Sequence, residues 1–354
     1  MVEWKKLGEV CAFNRGKTIT AKDAVDGDIP VIAGGQTPSY YHNEFNREGE
    51  SITVAGSGAY AGFVSYWNQP IFVSDAFTID PLKGLKHKYL FHWAKMNQEK
   101  IIATQKGAGV PHVHGKDIAN FLIPIPSLSE QQRIVSILDT FTSSISNLKQ
   151  QIEERRKQYE YERDLLLDLE GKEGVEMKKL GDFAEIGTGS SNTQDELESG
   201  RYPFFVRSQI VKWKDDYEFD EIAIITSGDG VGVGKVLHYY EGKYALHQRA
   251  YRIHVENDSI VPKFVFYFMQ KDFYWYIMSN AYAASVTSVR RPMLINYPIP
   301  IPPLSTQSRI VSILDTFEQS ISNLEEQLAM REKQYEYYRN QLLTFEGEEE
   351  RGKT

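Results

Sequence analysis

Side chains that can donate hydrogen bonds to an anion or a nucleotide base cluster in two segments of equal length. Residues 106–116 and 282–292 each lie shortly before an Ile-Pro-Ile-Pro sequence, and their residues differ although their position is the same. Small residues allow close approach of the backbone, while Lys, Arg, His, Ser and Thr can donate to phosphates and base edges. The candidate donors are Lys106, His112, His114, Lys116, Ser285, Thr287, Ser288, Arg290 and Arg291.

A second set of polar and aromatic residues follows a proline that occupies the same place in each half of the chain, Pro30 and Pro203. Any one of these residues could be ordinary surface loop. The pattern as a whole favours a binding surface, because the same place carries different chemistry in the two copies. The candidates are Gln36, Tyr40, Tyr41, His42, Arg207, Ser208, Gln209 and Lys212.

The glycine-rich segments do not match nucleotide-binding loops. Residues 16–18 read Gly-Lys-Thr, but a phosphate-binding loop needs a glycine at the position of Cys11. Residues 228–234 and 56–62 are rich in glycine, yet each is followed by a strand-like run, whereas a dinucleotide site requires a helix there. We therefore interpret both as hairpin turns.

Catalytic and metal-binding patterns are also missing. His112 and His114 have no cysteine or acidic partner at metal-ligand spacing, so we predict no metal site. The Asn-Pro-Pro-aromatic motif of adenine methyltransferases does not occur, and no nuclease-like set of carboxylates and lysine stands out. The chemistry that remains is binding, and we expect no catalytic residues in this chain.

These segments belong to a tandem repeat. Residues 124–171 align without a gap with residues 300–347, and about two-thirds of the positions are identical. Lys5-Lys6-Leu7-Gly8 likewise matches Lys178-Lys179-Leu180-Gly181, whereas identity collapses between these anchors. The chain is therefore two copies of one plan, a variable globular domain followed by a nearly invariant segment.

The invariant segment predicts a long helix. Its apolar residues recur at alternating spacings of four and three, the heptad pattern of a coiled coil. Each helix would span about 40 residues and about 60 Å, too long to bury its apolar face within one small domain. Ser129 with Gln132 suggests a capping box at its start. The helix-pairing residues are predicted to be Ile134, Leu138, Phe141, Ile145, Leu148, Ile152, Ile310, Leu314, Phe317, Ile321, Leu324 and Leu328.

Two arginines, Arg155 and Arg331, occupy matching positions on this apolar face. They could fix the register of the helices, or they could extend to solvent along their aliphatic stems. The pattern leaves both alternatives open.

Composition restricts the function classes further. The net charge is −8, but residues 1–120 carry about +1 and residues 172–296 about −2, so most of the acidity lies in the helical segments. Charge therefore permits DNA binding without predicting it. A single cysteine, no apolar run long enough for a membrane span and no signal-like N-terminus favour a soluble cytoplasmic protein.

The whole plan resembles the specificity subunit of type I restriction–modification systems. The resemblance rests on the variable domain, the repeated Ile-Pro-Ile-Pro-x-Leu-Ser-x-Gln-x-Arg-Ile sequence and the long heptad helix. It implies an α+β fold, in which two tandem recognition domains are separated by two long helices packed as an antiparallel coiled coil with pseudo-two-fold symmetry. The expected divisions are recognition domains at 1–124 and 172–300, helical regions at 125–171 and 301–347, and an acidic, disordered tail at 348–354.

The resemblance also implies partners. Each domain would read one half of a bipartite DNA site, and two modification subunits carrying S-adenosylmethionine would methylate adenine at N6. Restriction subunits can join and add chemistry that uses ATP and Mg²⁺. The alternative is a two-headed adaptor that uses the same helices as a ruler for protein or carbohydrate ligands.

Exchanging residues 1–120 for the recognition domain of another specificity subunit is predicted to change one half-site and leave the other intact. The physical reason is that each variable domain is a separate copy of the repeated plan. The measurement is the methylated sequence in host DNA, and a change in both halves would contradict this modular organisation.

Overall fold

The computed structural model describes residues 2–107, 109–280 and 288–345. The chain divides into two units, residues 1–149 with 326–354 and residues 150–325. The division falls inside both long helices, so each unit combines one globular domain with a part of each helix. The predicted tail, residues 348–354, lies outside the described residues.

The first unit opens with a mixed domain that leads into the first long helix. Its elements are β1 (Glu3–Lys6), α1 (Leu7–Val10), β2 (Cys11–Arg15), β3 (Ile29–Ile32), β4 (Tyr40–His42), β5 (Glu50–Ala55), β6 (Val64–Asn68), β7 (Phe72–Val73), β8 (Ala76–Pro81), α2 (His87–Met96), α3 (Gln98–Ile102), α4 (Gly115–Ile118), β9 (Leu122–Ile125) and α5 (Leu128–Leu166).

The strands of the first unit form three sheets with the orders β2-β8-β5-β6, β4-β3-β7 and β1-β9. Ile52 and Val54 on β5 are fully buried and share a core with Leu90 and Trp93 of α2. The β1-β9 pair joins the start of the domain to the Ile-Pro-Ile-Pro segment. This pairing explains why the prolines are tolerated, because a two-stranded ribbon has free edges where no N–H is needed.

The second unit repeats this plan. Its elements are β10 (Glu176–Lys179), β11 (Ala184–Thr188), β12 (Tyr202–Phe205), β13 (Lys212–Lys214), β14 (Phe219–Ser227), β15 (Leu237–Leu246), β16 (Ala250–Val255), α6 (Pro262–Asn280), α7 (Arg291–Ile295), β17 (Pro298–Ile301) and α8 (Leu304–Leu343), with 3-10 turns at Leu180–Asp182 and Thr193–Asp195.

The sheets of the two domains differ. The long strand β15 pairs with β14 on one side and with β12 on the other, so the second unit has a six-stranded sheet in the order β11-β16-β14-β15-β12-β13. In the first unit the same places are taken by two shorter strands, β6 and β7, and the sheet is split. The low identity between the domains is therefore compatible with one shared topology.

The predicted long helices are confirmed, with 39 residues in α5 and 40 in α8. The predicted capping box is wrong. The helix begins at Leu128, and the hydroxyl of Ser127 accepts a hydrogen bond from the backbone N–H of Glu130 at 3.3 Å, so Ser129 lies inside the first turn. Pro303 takes the place of Ser127 before α8, where its carbonyl accepts from the N–H groups of Thr306 and Gln307.

A fully buried glutamine anchors the first turn of each long helix. The Gln131 amide donates to the carbonyls of Gly84 (2.9 Å) and Pro126 (3.0 Å), and its oxygen accepts from the N–H of Lys86 (2.9 Å). Gln307 makes the same three bonds, to Ser259, Pro302 and Val261. Each glutamine thus ties a long helix to the turn that starts α2 or α6.

A carboxylate two turns further along reinforces this attachment. Asp139 accepts from Lys88 (2.5 Å) and His92 (3.1 Å) of α2. At the matching position of α8, Asp315 accepts from Lys263 (2.8 Å) and from the hydroxyl of Tyr267 (2.5 Å) of α6. The glutamine and the aspartate together hold each domain helix at a fixed register along a long helix.

Replacing Gln131 with alanine is predicted to destabilise the first unit by about 2–3 kcal/mol, because it leaves buried backbone groups without partners. In this variant, hydrogen–deuterium exchange should rise in residues 84–86 and in the first turn of α5. In Gln307→Ala, exchange should rise in residues 259–261 instead. The matched control is Gln132→Ala, since Gln132 is exposed on the same helical turn. Equal protection in Gln131→Ala and Gln132→Ala would refute the anchoring role.

Candidate nucleic-acid interface

The first donor segment lies against the glycine-rich hairpin loop of its own domain. The loop between β5 and β6 and residues 106–113 are joined because the N–H of Gly58 donates to Pro111 and that of Val113 donates to Gly56, both at 3.0 Å. In the second unit, the N–H of Val289 donates to Gly228 at 2.8 Å, and Asp229 bridges to Ser288. The interpretation of both glycine-rich segments as hairpin connections is confirmed.

In the first unit these segments border a cleft of about 270 Å³. His112 and His114 are exposed and stack with nearly parallel rings, 6.1 Å between centroids. Lys116 is exposed, whereas the Lys106 ammonium is paired with Asp117. The cleft is lined by cationic and imidazole groups, one carboxylate and two aromatic rings, from Phe13, Arg15, Gly56, Asp75, Ala76, Phe77, His112, Val113, His114, Gly115 and Lys116.

The second unit has an ion cluster at the corresponding loop. Asp229 accepts from Arg207 at 2.7 Å through one carboxylate oxygen and from Arg249 at 3.3 Å through the other. Partial burial acts to raise the pKa of Asp229, but the hydrogen bond and charge of Arg207, together with Arg249, outweigh it and hold the pKa below the ordinary aspartate range. One carboxylate therefore orients two guanidinium groups that both remain partly open to solvent.

The second candidate surface of the first unit is only partly available. Gln36 and Tyr41 are exposed. The hydroxyl of Tyr40 donates to the carbonyl of Ile19 at 2.6 Å. The prediction for His42 is corrected, because its ring is 95% buried, packs edge-on against Phe72 and accepts from the N–H of Val25 at 3.0 Å. His42 is a structural residue of the β4 strand and does not contribute to an accessible surface.

In the second unit, three of the predicted donors are exposed, namely Gln209, Arg290 and Arg291, and the other described ones are half-buried. Gln209 is exposed and its amide donates weakly to Leu237 at 3.4 Å, while the Ser208 hydroxyl accepts from the N–H of Ile210 at 2.9 Å. Lys212 pairs with Glu196 at 3.3 Å. Ser288 is half-buried, and Arg290 and Arg291 are exposed at the start of α7. Ser285 and Thr287 lie outside the described residues.

Two residues of the candidate site, Asp229 and Arg249, are not among those that the sequence pattern predicts. In the sequence, Asp229 belongs to a glycine-rich turn, and Arg249 lies outside every motif. The weak signal for Asp229 was its place between two glycines. Arg249 gave no signal, because its carboxylate partner Asp229 is 20 residues away in the chain and meets it only through the pairing of β14 with β16.

Within the first unit, the predicted helix-pairing residues Ile134 and Leu138 are fully buried and share a core with Leu343 near the end of α8. Phe141 stacks on Tyr338 at 5.2 Å, and Arg331 lies over the Phe141 ring at 5.7 Å. Ile145 and Leu148 are half-buried. Lys149 pairs with Glu332 at 2.9 Å. Residues later in α5 therefore contact residues earlier in α8.

The second unit repeats these contacts. Ile310 and Leu314 belong to its core together with Leu167. Tyr159 packs against Phe317 at 6.4 Å, and Arg155 lies over the same ring at 5.9 Å. Both seam arginines therefore cover a phenylalanine of the other helix, which favours the register hypothesis over simple solvation. The remaining predicted seam residues are at least half-buried: Ile152, Ile321, Leu324 and Leu328.

The described residues contain neither a metal-binding cluster nor a helix that could span a membrane. Over 2–107, 109–280 and 288–345, no group of three or more His, Cys, Asp or Glu side chains could hold a metal ion. In the same ranges, no helix combines the length and apolar character that crossing a bilayer requires.

Comparisons with known proteins agree with this architecture. A family model described as the type I restriction modification DNA specificity domain matches residues 1–155 and 172–330. The chain is 28% identical over 97% of its length to a Haemophilus influenzae protein named as a type I restriction enzyme specificity subunit, of which 96% is covered. It is 26% identical over 97% of its length to the Escherichia coli EcoR124I/EcoR124II specificity subunit, of which 94% is covered.

The fold is also that of a solved structure. The crystal structure of a type I restriction–modification S subunit from M. genitalium matches with a TM-score of 0.74 and 18% identity. The match covers 97% of both chains.

The stability that the ionised Asp229 carboxylate contributes is predicted to be independent of pH between about pH 5 and pH 8. Because the pKa of Asp229 is lower in the folded state, the stability it contributes is fully present above its unfolded value and is lost as the pH falls through the folded value. The measurement is the difference in unfolding free energy between the native chain and Asp229→Asn.

That difference should be constant over this range and shrink below about pH 3.9, the ordinary aspartate pKa. The control is Asp258→Asn, at an exposed aspartate in the turn before α6. A difference that stays constant as the pH falls well below about pH 3.9 would refute the stabilising role of the ionised carboxylate.

Proposed function

The chain belongs to the family of the type I restriction modification DNA specificity domain, and we propose that it is the subunit that reads the DNA target of a type I restriction–modification enzyme. The observation that carries this proposal is the pair of equivalent loop sites. Each unit brings its donor segment against its own hairpin loop, and the two sites present different side chains. DNA sequence is read by such donors and acceptors at base edges.

Different chemistry at equivalent sites implies different half-sites. The first unit presents two stacked imidazoles, Lys116 and a cleft, whereas the second presents an arginine-rich ion cluster. The target is therefore bipartite and asymmetric, with recognition domains at residues 1–124 and 172–300. Helical regions at 125–171 and 301–347 separate them.

The two long helices form an antiparallel coiled coil with pseudo-two-fold symmetry, which sets the spacing between the half-sites. Support comes from contacts within each unit. Opposite charges pair between the helices, Lys149 with Glu332 in the first unit and Arg156 with Glu325 in the second. The residue number rises along α5 as it falls along α8, as in an antiparallel pair. The matched contacts of Arg331 over Phe141 and Arg155 over Phe317 would hold one register.

The reactions on DNA would be carried out by partner subunits. Two modification subunits would bind S-adenosylmethionine and transfer its methyl group to adenine N6, and this chain would direct them without catalysis of its own. Restriction subunits, where they join, would use ATP and Mg²⁺. The recognition domains are close to neutral, so partner subunits would supply much of the phosphate contact and the salt sensitivity of binding. A cytoplasmic location follows from this role.

The proposal is tested by sequencing N6-methyladenine across host DNA with and without this gene. We expect deletion to erase one asymmetric bipartite motif and to leave other methylated motifs unchanged. In parallel, the complex with its modification subunits should bind that motif in a salt-sensitive manner. Binding of the complex that ignores both DNA sequence and salt would instead favour an adaptor for protein or carbohydrate ligands.

A further inference from the structure

One position in the fold carries opposite charges in the two domains. It is the residue immediately before β8 in the first unit and before β16 in the second, Asp75 and Arg249. Their carbonyls accept equivalent hydrogen bonds, from the N–H of Gly56 at 3.1 Å and from that of Gly228 at 2.9 Å. Because these bonds join the same hairpin loop to the same strand, the two residues are structural counterparts.

Their partners are counterparts as well. Asp75 accepts from the hydroxyl of Ser57, the residue after Gly56, and Arg249 donates to Asp229, the residue after Gly228. Ser57 and Asp229 also hold the donor segments, since they bridge to His112 and Ser288 respectively. In each unit the charged residue, the hairpin loop and the donor segment therefore meet at one place.

Both charged groups retain hydrogen-bonding capacity. The Ser57 hydroxyl engages one oxygen of Asp75, and across the described residues no other donor contacts that carboxylate. Asp75 is exposed and lines the cleft beside Arg15, His112 and Lys116. Arg249 uses one terminal nitrogen on Asp229, and its side chain is 61% exposed. Each group is oriented by a partner and still open to a ligand.

The two chemistries match different bases. In the major groove, a carboxylate accepts from the exocyclic N4 amine of cytosine, and a guanidinium donates to O6 and N7 of guanine. A carboxylate repels phosphate, so Asp75 at a DNA interface is better explained by base reading than by backbone contact.

Resting on the proposed function, we infer that Asp75 and Arg249 are specificity-determining residues at equivalent places in the two recognition domains. Asp75 accepts from a cytosine amine in one half-site, and Arg249 donates to a guanine in the other. Ser57 and Asp229 are positioning residues, which hold the carboxylate and the guanidinium toward the base edge.

The test uses the full complex with its modification subunits and measures two quantities. One is the sequence of methylated sites in DNA from cells that carry each variant. The other is binding to the native target duplex and to duplexes with one base pair changed, over a series of salt concentrations. The variants are Asp75→Asn, Arg249→Ala and the conservative Arg249→Lys, with Glu99→Gln and Arg201→Ala as controls at exposed charges away from the loops.

We expect each variant to lose discrimination at one base pair of one half-site by roughly ten- to hundred-fold. Asp75→Asn should act at a C·G pair in one half, and Arg249→Ala at a G·C pair in the other. The salt dependence and the controls should stay native, and Arg249→Lys should keep part of the guanine preference. This combination supports the inference, because a purely structural role would not relax a single base pair.

Three results would overturn it. One is a uniform loss for all sequences with a shallower salt dependence, which identifies a phosphate contact. The second is unchanged specificity in both Asp75→Asn and Arg249→Ala. The third is a loss of thermal stability with native discrimination among the sites that are still methylated. A native complex without any sequence preference would instead refute the proposed function, so the two failures are distinguishable.

Discussion

Each unit depends on the satisfaction of one buried amide. Gln131 and Gln307 have no exposed surface, and a buried amide without partners would cost several kcal/mol, so the surrounding backbone must present two carbonyls and one N–H in a fixed arrangement. That arrangement sets the start of each long helix against the turn before α2 or α6. The carboxylates Asp139 and Asp315 then fix the same helices two turns later.

This attachment explains how variable domains can share one nearly invariant segment. The residues that contact the long helices lie on α2 and α6 and on the turns before them, on the side of each domain that leads to the helix. The hairpin loops and donor segments are held separately, by backbone hydrogen bonds from Gly58, Val113 and Val289. Side chains in the loops can therefore change without disturbing the helix attachment, because among the described residues the attachment is made by α2, α6 and the turns before them.

Local ion pairing helps to explain how a DNA-reading protein can carry a net charge of −8. Lys106 is paired with Asp117, and Arg207 and Arg249 are paired with Asp229, so these groups are directed donors with only a small net field. Such groups favour discrimination over non-specific attraction, since phosphate binding depends on uncompensated charge and base reading depends on geometry.

The sequence by itself determined the repeat, the two long helices with their apolar seam, and the place of the donor segments. These features are periodic or duplicated, and the physics behind them acts between residues close in the chain. Only the tertiary structure decided that Ser127 caps α5, that His42 is buried against Phe72, and that Gln131 anchors the helix rather than facing solvent.

The sequence likewise did not show that Asp75 and Arg249 carry opposite charges at equivalent positions of the two domains. The two domains share too little identity between their anchors to align these residues, and their partners Ser57 and Asp229 reach them only when β5 pairs with β8 and β14 with β16. Strand pairing joins residues about 20 positions apart, so the chemistry of each site is a property of the sheet and cannot be found in any local pattern.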